Sequence, residues 1–241
     1  MKTPGDYILE VSNLNVKIQD ETLLKDLTFK VKKGTTLAIV GPNGAGKSTL
    51  FRALLNLVPY TGEIKWAERV KIGYVPQKLS AGDVPISVNE FLSFKKVKNV
   101  ENVTQECQDV EKCLRAVGLD DKSILDKVLG VLSGGQLQRI LIAWAIIDGP
   151  NVLLFDEPTT GVDLDSEEAI YEMLNRLEHE QGITVLLISH DVHVIRDYSE
   201  HFLALNKGMI CYAESEEIVK SSVLQAIYGA GTALKKRKER R

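Results

Sequence analysis

Thr36-Leu37-Ala38-Ile39-Val40-Gly41-Pro42-Asn43-Gly44-Ala45-Gly46-Lys47-Ser48-Thr49 is the stretch that decides the fold. Thr36–Val40 reads as a short buried strand, and it runs directly into a loop with glycine at 41, 44 and 46. Glycine lets a backbone curl until several N–H groups face one anion. The spacing from Gly41 to Lys47-Ser48 matches G-x-x-x-x-G-K-[ST]. A helix expected over Lys47–Leu57, stopped near Pro59, adds its positive end. In this reading Lys47 holds β- and γ-phosphates and Ser48 ligates Mg²⁺. Gly41, Pro42, Asn43, Gly44, Ala45, Gly46 and Thr49 complete the cradle. A glycine-rich turn with a surface lysine is the plainer reading, and the strand before and helix after weigh against it.

A strand feeding such a loop needs a sheet. Val152–Phe155 and Val185–Ser189 are continuous apolar runs of the kind buried on both faces of a parallel sheet. The first ends in Asp156-Glu157, which lifts two carboxylates to the C-terminal sheet edge where α/β folds bind ligands. Asp156 is then placed to bind Mg²⁺ through water, and Glu157 to polarise an attacking water. Ser166–Gln181 carries helical periodicity in Ile170, Leu174 and Leu177, and Lys71–Val75 reads as another strand. His201–Leu205 and Met209–Ala213 flank Asn206-Lys207-Gly208 as a hairpin. Tyr7–Val11, Val16–Ile18 and Leu27–Val31 suggest a half-exposed antiparallel sheet. From Val88 to about Gly118 the charged, helix-forming texture suggests an inserted helical subdomain. The expectation is an α/β core with a helical insertion.

Further along stands Leu132-Ser133-Gly134-Gly135-Gln136-Leu137-Gln138-Arg139. Ser133-Gly134-Gly135 ahead of a helix makes a second anion-binding N-terminus. The octet, between the phosphate loop and the Asp-Glu strand, resembles the ATP-binding cassette (ABC) ATPases over nearly the whole chain. That resemblance implies a P-loop NTPase fold with an N-terminal antiparallel β-subdomain and an inserted α-helical subdomain. Residues 1–86 and 146–230 would form the RecA-like core plus the β-subdomain, 87–145 the helical subdomain with the octet, and 231–241 a basic tail. It further implies that Ser133, Gly134, Gly135 and Gln136 of one copy cap the γ-phosphate held by another, so that ATP joins two cassettes. By the same resemblance Gln77 joins Mg²⁺ and senses the partner. Asp163 would lie at the dimer seam, and His190 would contact the γ-phosphate beside Glu157 and Lys47. Two positions depart from the family: Ile18 lies near the place of the usual adenine-stacking aromatic. Trp144 stands where many members have arginine, and the sequence offers no physical account of it.

Composition bounds the rest. At 241 residues the chain suits one large domain, or a core with a smaller one inserted. A formal net charge of −3 exerts no general pull on nucleic acid, so no nucleic-acid partner is expected. Ile140–Ile147 is too short to span a bilayer, and Met1–Asp6 lacks the apolar core of a signal peptide. Cys107, Cys113 and Cys211 match neither a disulfide framework nor zinc-site spacing. His190-x-x-His193 with Asp191 is read as no metal site, since further ligands are not evident nearby. The chain is expected in the cytoplasm, and the basic run Lys235–Arg241 as a solvated tail, with anionic headgroups as the alternative.

Val70–Leu79 and Val84–Leu92 resemble the zinc, manganese and iron importers among ABC ATPases, as do the spacer Pro59–Trp66 and the stretch from Leu205 to Gly229. The implied role is an ATPase on the cytoplasmic face of the cell membrane, homodimeric or paired. It would drive a permease on a separate chain, act indirectly with a solute-binding protein, and take up zinc or manganese. An ABC ATPase for another solute, or one remodelling a cytosolic assembly, is the alternative.

Overall fold

The computed structural model describes residues 6–77, 85–96, 110–159 and 162–228. The basic tail, Cys107, Gly161, Gly229 and, in the importer-like stretches, Lys78, Leu79 and Val84 lie outside them.

β1 (Tyr7–Ile18) and β2 (Glu21–Lys32) form an antiparallel hairpin. The expected runs Tyr7–Val11 and Val16–Ile18 are one strand, bent where the register shifts between Val11 and Leu14. Asn13 sits there at φ 49 and donates its N–H to Thr28 Oγ1 at 2.9 Å, which bridges the irregularity without ending the ladder. β3 (Thr36–Val40) enters the phosphate loop, and α1 (Lys47–Leu54) follows. The helix stops three residues before the expected Leu57, because Asn56 turns left-handed at φ 57. β4 (Thr61–Trp66), which the sequence reading took for a spacer, pairs with the outer edge of β1.

β5 (Ile72–Val75), β6 (Val152–Asp156) and β7 (Thr184–Ile188) are parallel to β3. β8 (His201–Asn206) lies parallel on the other side of β3, and β9 (Gly208–Glu214) turns back on it with Lys207 at φ 59. The full order is β4-β1-β2-β9-β8-β3-β7-β6-β5. β2 and β9 meet at the single pairing of Lys25 with Gly208, where the antiparallel part joins the parallel core. The result is an α/β P-loop NTPase fold.

Side-chain alternation distributes the core. Leu37, Ile39, Val152, Leu154, Leu186 and Ile188 face α1 and the antiparallel hairpin. Leu153, Phe155, Val185 and Leu187 face α4 (Gly134–Ile146) and α5 (Leu164–Gln181). Ala38, Val40, Phe202 and Ala204 pack with Ile195 of α6 (Val192–Tyr198) and Ile227 of α7 (Ser221–Tyr228). α4 comes so close to β5 that a Cβ on Gly73 would sit 2.7 Å from the Ala145 carbonyl oxygen.

Between β5 and α4, α2 (Val88–Lys96) and α3 (Val110–Ala116) bear out the helical texture. Trp144 acquires a physical account here. Its ring stacks on Phe91 of α2 at 5.7 Å between centroids, and Lys95 Nζ lies 4.2 Å from the Trp144 ring centroid. Lys95 also pairs with Asp148 at 3.0 Å, so the indole joins α2 to α4.

At the N-terminal end of β3, Thr36 donates its hydroxyl to Glu178 Oε2 and its N–H to Glu200 Oε2 at 2.6 Å. Burial, with the Glu200 carboxylate alongside, pushes the Glu178 carboxyl up to about 7. Among the described residues no helix is long and apolar enough to cross a membrane.

Candidate functional site

Backbone shape comes first at the phosphate loop. Gly41 has φ 149, and a Cβ there would meet the Leu205 carbonyl oxygen at 2.2 Å. Gly46 has φ 97, and its Cβ would lie 2.5 Å from Leu24 Cδ2. Larger residues are therefore excluded at both positions. Gly46 caps α1 without a side-chain acceptor, so the first helical N–H groups are offered to an anion.

Lys47 is buried and donates from Nζ to the carbonyl oxygens of Gly41 at 2.9 Å and Pro42 at 3.1 Å. Burial holds its ammonium below the usual lysine range, and the charges of Glu157 and Asp156 oppose that shift. Ser48 donates its hydroxyl to Asp156 Oδ1 at 3.2 Å. Asp156, at the end of β6, is raised above the ordinary carboxyl range by burial. The Ser48 bond works against that rise, and Glu157 adds to it.

Glu157 is the first residue past β6. It adopts φ 52 while its N–H reaches the Ile188 carbonyl at 3.2 Å. Its Oε1 pairs with His190 Nε2, and its Oε2 accepts from Gln77 Nε2. Gln77 follows β5 and His190 follows β7, so the C-terminal ends of β5, β6, β7 and β3 converge on one place.

A cavity of about 580 Å³ opens here. Its walls are the loop from Asn43 to Thr49, then Gln77, Glu157 and His190, then Glu21 and Leu23 of β2. Sequence reasoning did not single out Glu21 or Leu23. An acidic residue at a hairpin tip carries no local signal, and only the β2–β9 junction brings it to the loop.

The other expected site residues gather elsewhere. Ser133 caps α4 in a reciprocal pair: Gln136 N–H donates to Ser133 Oγ and Ser133 N–H to Gln136 Oε1, both at 3.2 Å. Asp163 caps α5 by accepting from Ser166 N–H at 3.0 Å, and the Ser166 bonds hold its carboxyl below the usual range. A Cβ on Gly135 would lie 2.8 Å from Ser166 Oγ, so the two helix starts touch. None of Ser133, Gly134, Gly135, Gln136 and Asp163 lines the cavity.

A family model described as "ABC transporter" matches residues 24–160. The zinc import ATP-binding protein ZnuC of Haemophilus influenzae is 33% identical over 224 residues, covering 92% of this chain and 80% of that protein. ZnuC of Ruegeria pomeroyi is 35% identical over 235 residues, covering 96% and 87%. Among solved structures, a metal-chelate type ABC transporter in an inward-facing conformation superposes with TM-score 0.80 at 29% identity, covering 92% of this chain and 89% of that one. The cassette MJ0796, dimeric and bound to ADP and phosphate after hydrolysis, superposes with TM-score 0.70 at 26% identity, covering 86% and 98%.

Proposed function

This chain belongs to the ABC transporter family of ATP-binding proteins, and from that premise we propose that it is the ATP-hydrolysing subunit of a zinc importer. It binds ATP and is an ATPase. One observation carries the reading of the site: Gln77 and His190 meet on the Glu157 carboxylate beside the Lys47-Ser48 helix start.

In this reading Lys47 exchanges its two carbonyl partners for the β- and γ-phosphate oxygens, while the open N–H groups of α1 take the remaining charge. Glu157 draws a proton from water as the water oxygen bonds to the γ-phosphorus. The bond from that phosphorus to the bridging oxygen breaks, leaving ADP and phosphate. His190 orients the carboxylate and faces the γ-phosphate. The hydroxyl of Ser48, the carboxylate of Asp156 and the amide oxygen of Gln77 are hard oxygen donors that suit Mg²⁺. A cation beside Asp156 would offset the burial that now raises its proton affinity. Bound there, Mg²⁺ supplies positive charge against the phosphate oxygens.

Ser133 and Gly135 act on the γ-phosphate of a second copy, with Asp163 at the seam between copies. Their exclusion from the cavity of their own chain supports this arrangement. Gln77 and the helices from α2 to α4 pass closure to a separate permease at the cytoplasmic face, and a solute-binding protein acts upstream. The relatives' names favour zinc over manganese as the cargo.

The test is uptake of zinc and manganese by zinc-limited source cells carrying wild-type protein or Lys47→Ala. Zinc uptake is expected to fall to background and manganese uptake to stay level. Unchanged zinc uptake with the variant protein at wild-type abundance would overturn the importer reading.

A further inference from the structure

The cavity holds an acidic residue that the phosphate chemistry does not use. Glu21 and Leu23 share one face of β2, two residues apart, while Leu24, on the opposite face, is buried against Gly46. The Leu23 carbonyl would lie 2.9 Å from a Cβ on Gly46, so this edge of β2 is fixed directly against the phosphate loop. Glu21 Oε1 pairs with Lys207 Nζ at 3.0 Å. Lys207 is itself anchored, its N–H donating to Ala45 O at 2.9 Å and its carbonyl accepting from Lys25 N–H at 2.6 Å. The carboxylate is thus linked, through Lys207, to Ala45 of the loop and to Lys25 of β2.

A carboxylate beside a triphosphate repels it. Glu21 therefore has no favourable role toward phosphates, and its position assigns it to the neutral, donor-bearing end of the nucleotide. The remaining walls agree. The loop and α1 take the phosphates, and Gln77, Glu157 and His190 close the γ-end, which leaves Glu21 and Leu23 on the β2 wall beside Gly46. Among the described residues no Phe, Tyr or Trp lines the cavity, so its walls there offer the base no ring to stack on. The Lys207 pair is a rim contact of the kind that contributes little on its own, and a ligand donor exchanges with it readily.

Resting on the ATPase reading above, we propose that Glu21 is a nucleoside-binding residue of this cassette. Its carboxylate exchanges the Lys207 ammonium for hydrogen bonds from the nucleoside while Leu23 packs beneath. The shared chemistry is a neutral O–H or N–H donor, from the ribose hydroxyls or from a base amino group.

The test compares binding of ATP and of inorganic tripolyphosphate to the whole chain, wild type against Glu21→Ala and Glu21→Gln, by calorimetry. For Glu21→Ala, ATP affinity is expected to drop ~3–10-fold, the weight of one charged hydrogen bond on a solvated rim. Tripolyphosphate, lacking a nucleoside, should bind as before or more tightly, since a repelling charge is gone. Glu21→Gln, which keeps an acceptor, should fall between. Repeating the series with 2′-deoxy-ATP and 3′-deoxy-ATP identifies the donor: a difference that vanishes with either names that ribose hydroxyl, one that persists with both names the base. Equal weakening of ATP and tripolyphosphate, or unaltered ATP affinity, would overturn the proposal. A wild-type chain that binds tripolyphosphate but not ATP would also overturn it. Failure of the wild type to bind either ligand would strike the ATPase reading itself.

Discussion

Glu157 is held from both sides, by His190 on one oxygen and Gln77 on the other, at a backbone angle of φ 52. In the proposed role of general base, a carboxylate fixed before the water arrives loses its function, and not its place, when made neutral. Glu157→Gln is therefore expected to keep ATP affinity and slow turnover ~10²–10⁴-fold in a phosphate-release assay. Turnover within a few-fold of wild type would remove it from that role. Lys47→Ala acts one step earlier, on binding itself, so titration with a fluorescent ATP analogue should show a marked loss of affinity. A different residue-scale prediction concerns Glu178, buried between Thr36, Glu200 and His179. Its carboxyl is raised from 4.5 to about 7, so the folded state binds more protons than the unfolded one across that range. Its contribution to stability is then complete below about 4.5 and lost as pH rises through about 7. Glu178→Gln mimics the protonated form. It should match wild type near pH 5 and unfold at a higher temperature, by about 2–4 °C per kcal/mol recovered, at pH 8. A difference independent of pH would contradict this.

At the scale of elements, Trp144 fastens α2 to α4 through Phe91 and Lys95. Trp144→Ala should cost about 1–3 kcal/mol in denaturant unfolding, from the lost stack, cation–π contact and packing. Wild-type stability would show that the indole is merely a surface residue. The strands and helices that were legible in the sequence are those with strong local pattern. β3, β6 and β7 are buried on both faces and read as unbroken apolar runs. β4 was not legible, since Thr61-Gly62-Glu63-Ile64-Lys65-Trp66 lies at an exposed sheet edge and little of it is buried. β1 was read as two pieces because Asn13 and Asn15 interrupt its alternation, and the pairing with β2 that carries the strand across them involves Thr28 and Asp26. Only the folded hairpin reveals that.

At the scale of the whole molecule, the residues singled out in the sequence fall into two groups. Lys47, Ser48, Gln77, Asp156, Glu157 and His190 meet at the end of the parallel sheet. Gly135 and Asp163 meet through Ser166 at the start of α4 and α5, with Ser133 capping α4 beside them, outside the cavity. Motif spacing announced both groups. It could not show that Glu21, whose partner Lys207 lies far along the chain, joins the first. On the proposed reading, a second copy completes each site. The measurement that tests it most directly is sedimentation velocity of Glu157→Gln with and without ATP, alongside the same protein carrying Ser133→Arg. The account predicts a monomer without nucleotide and a dimer with ATP for the first. It predicts a monomer that still binds ATP for the second. A dimer that forms without ATP, or one that survives Ser133→Arg with the same ATP dependence, would contradict it.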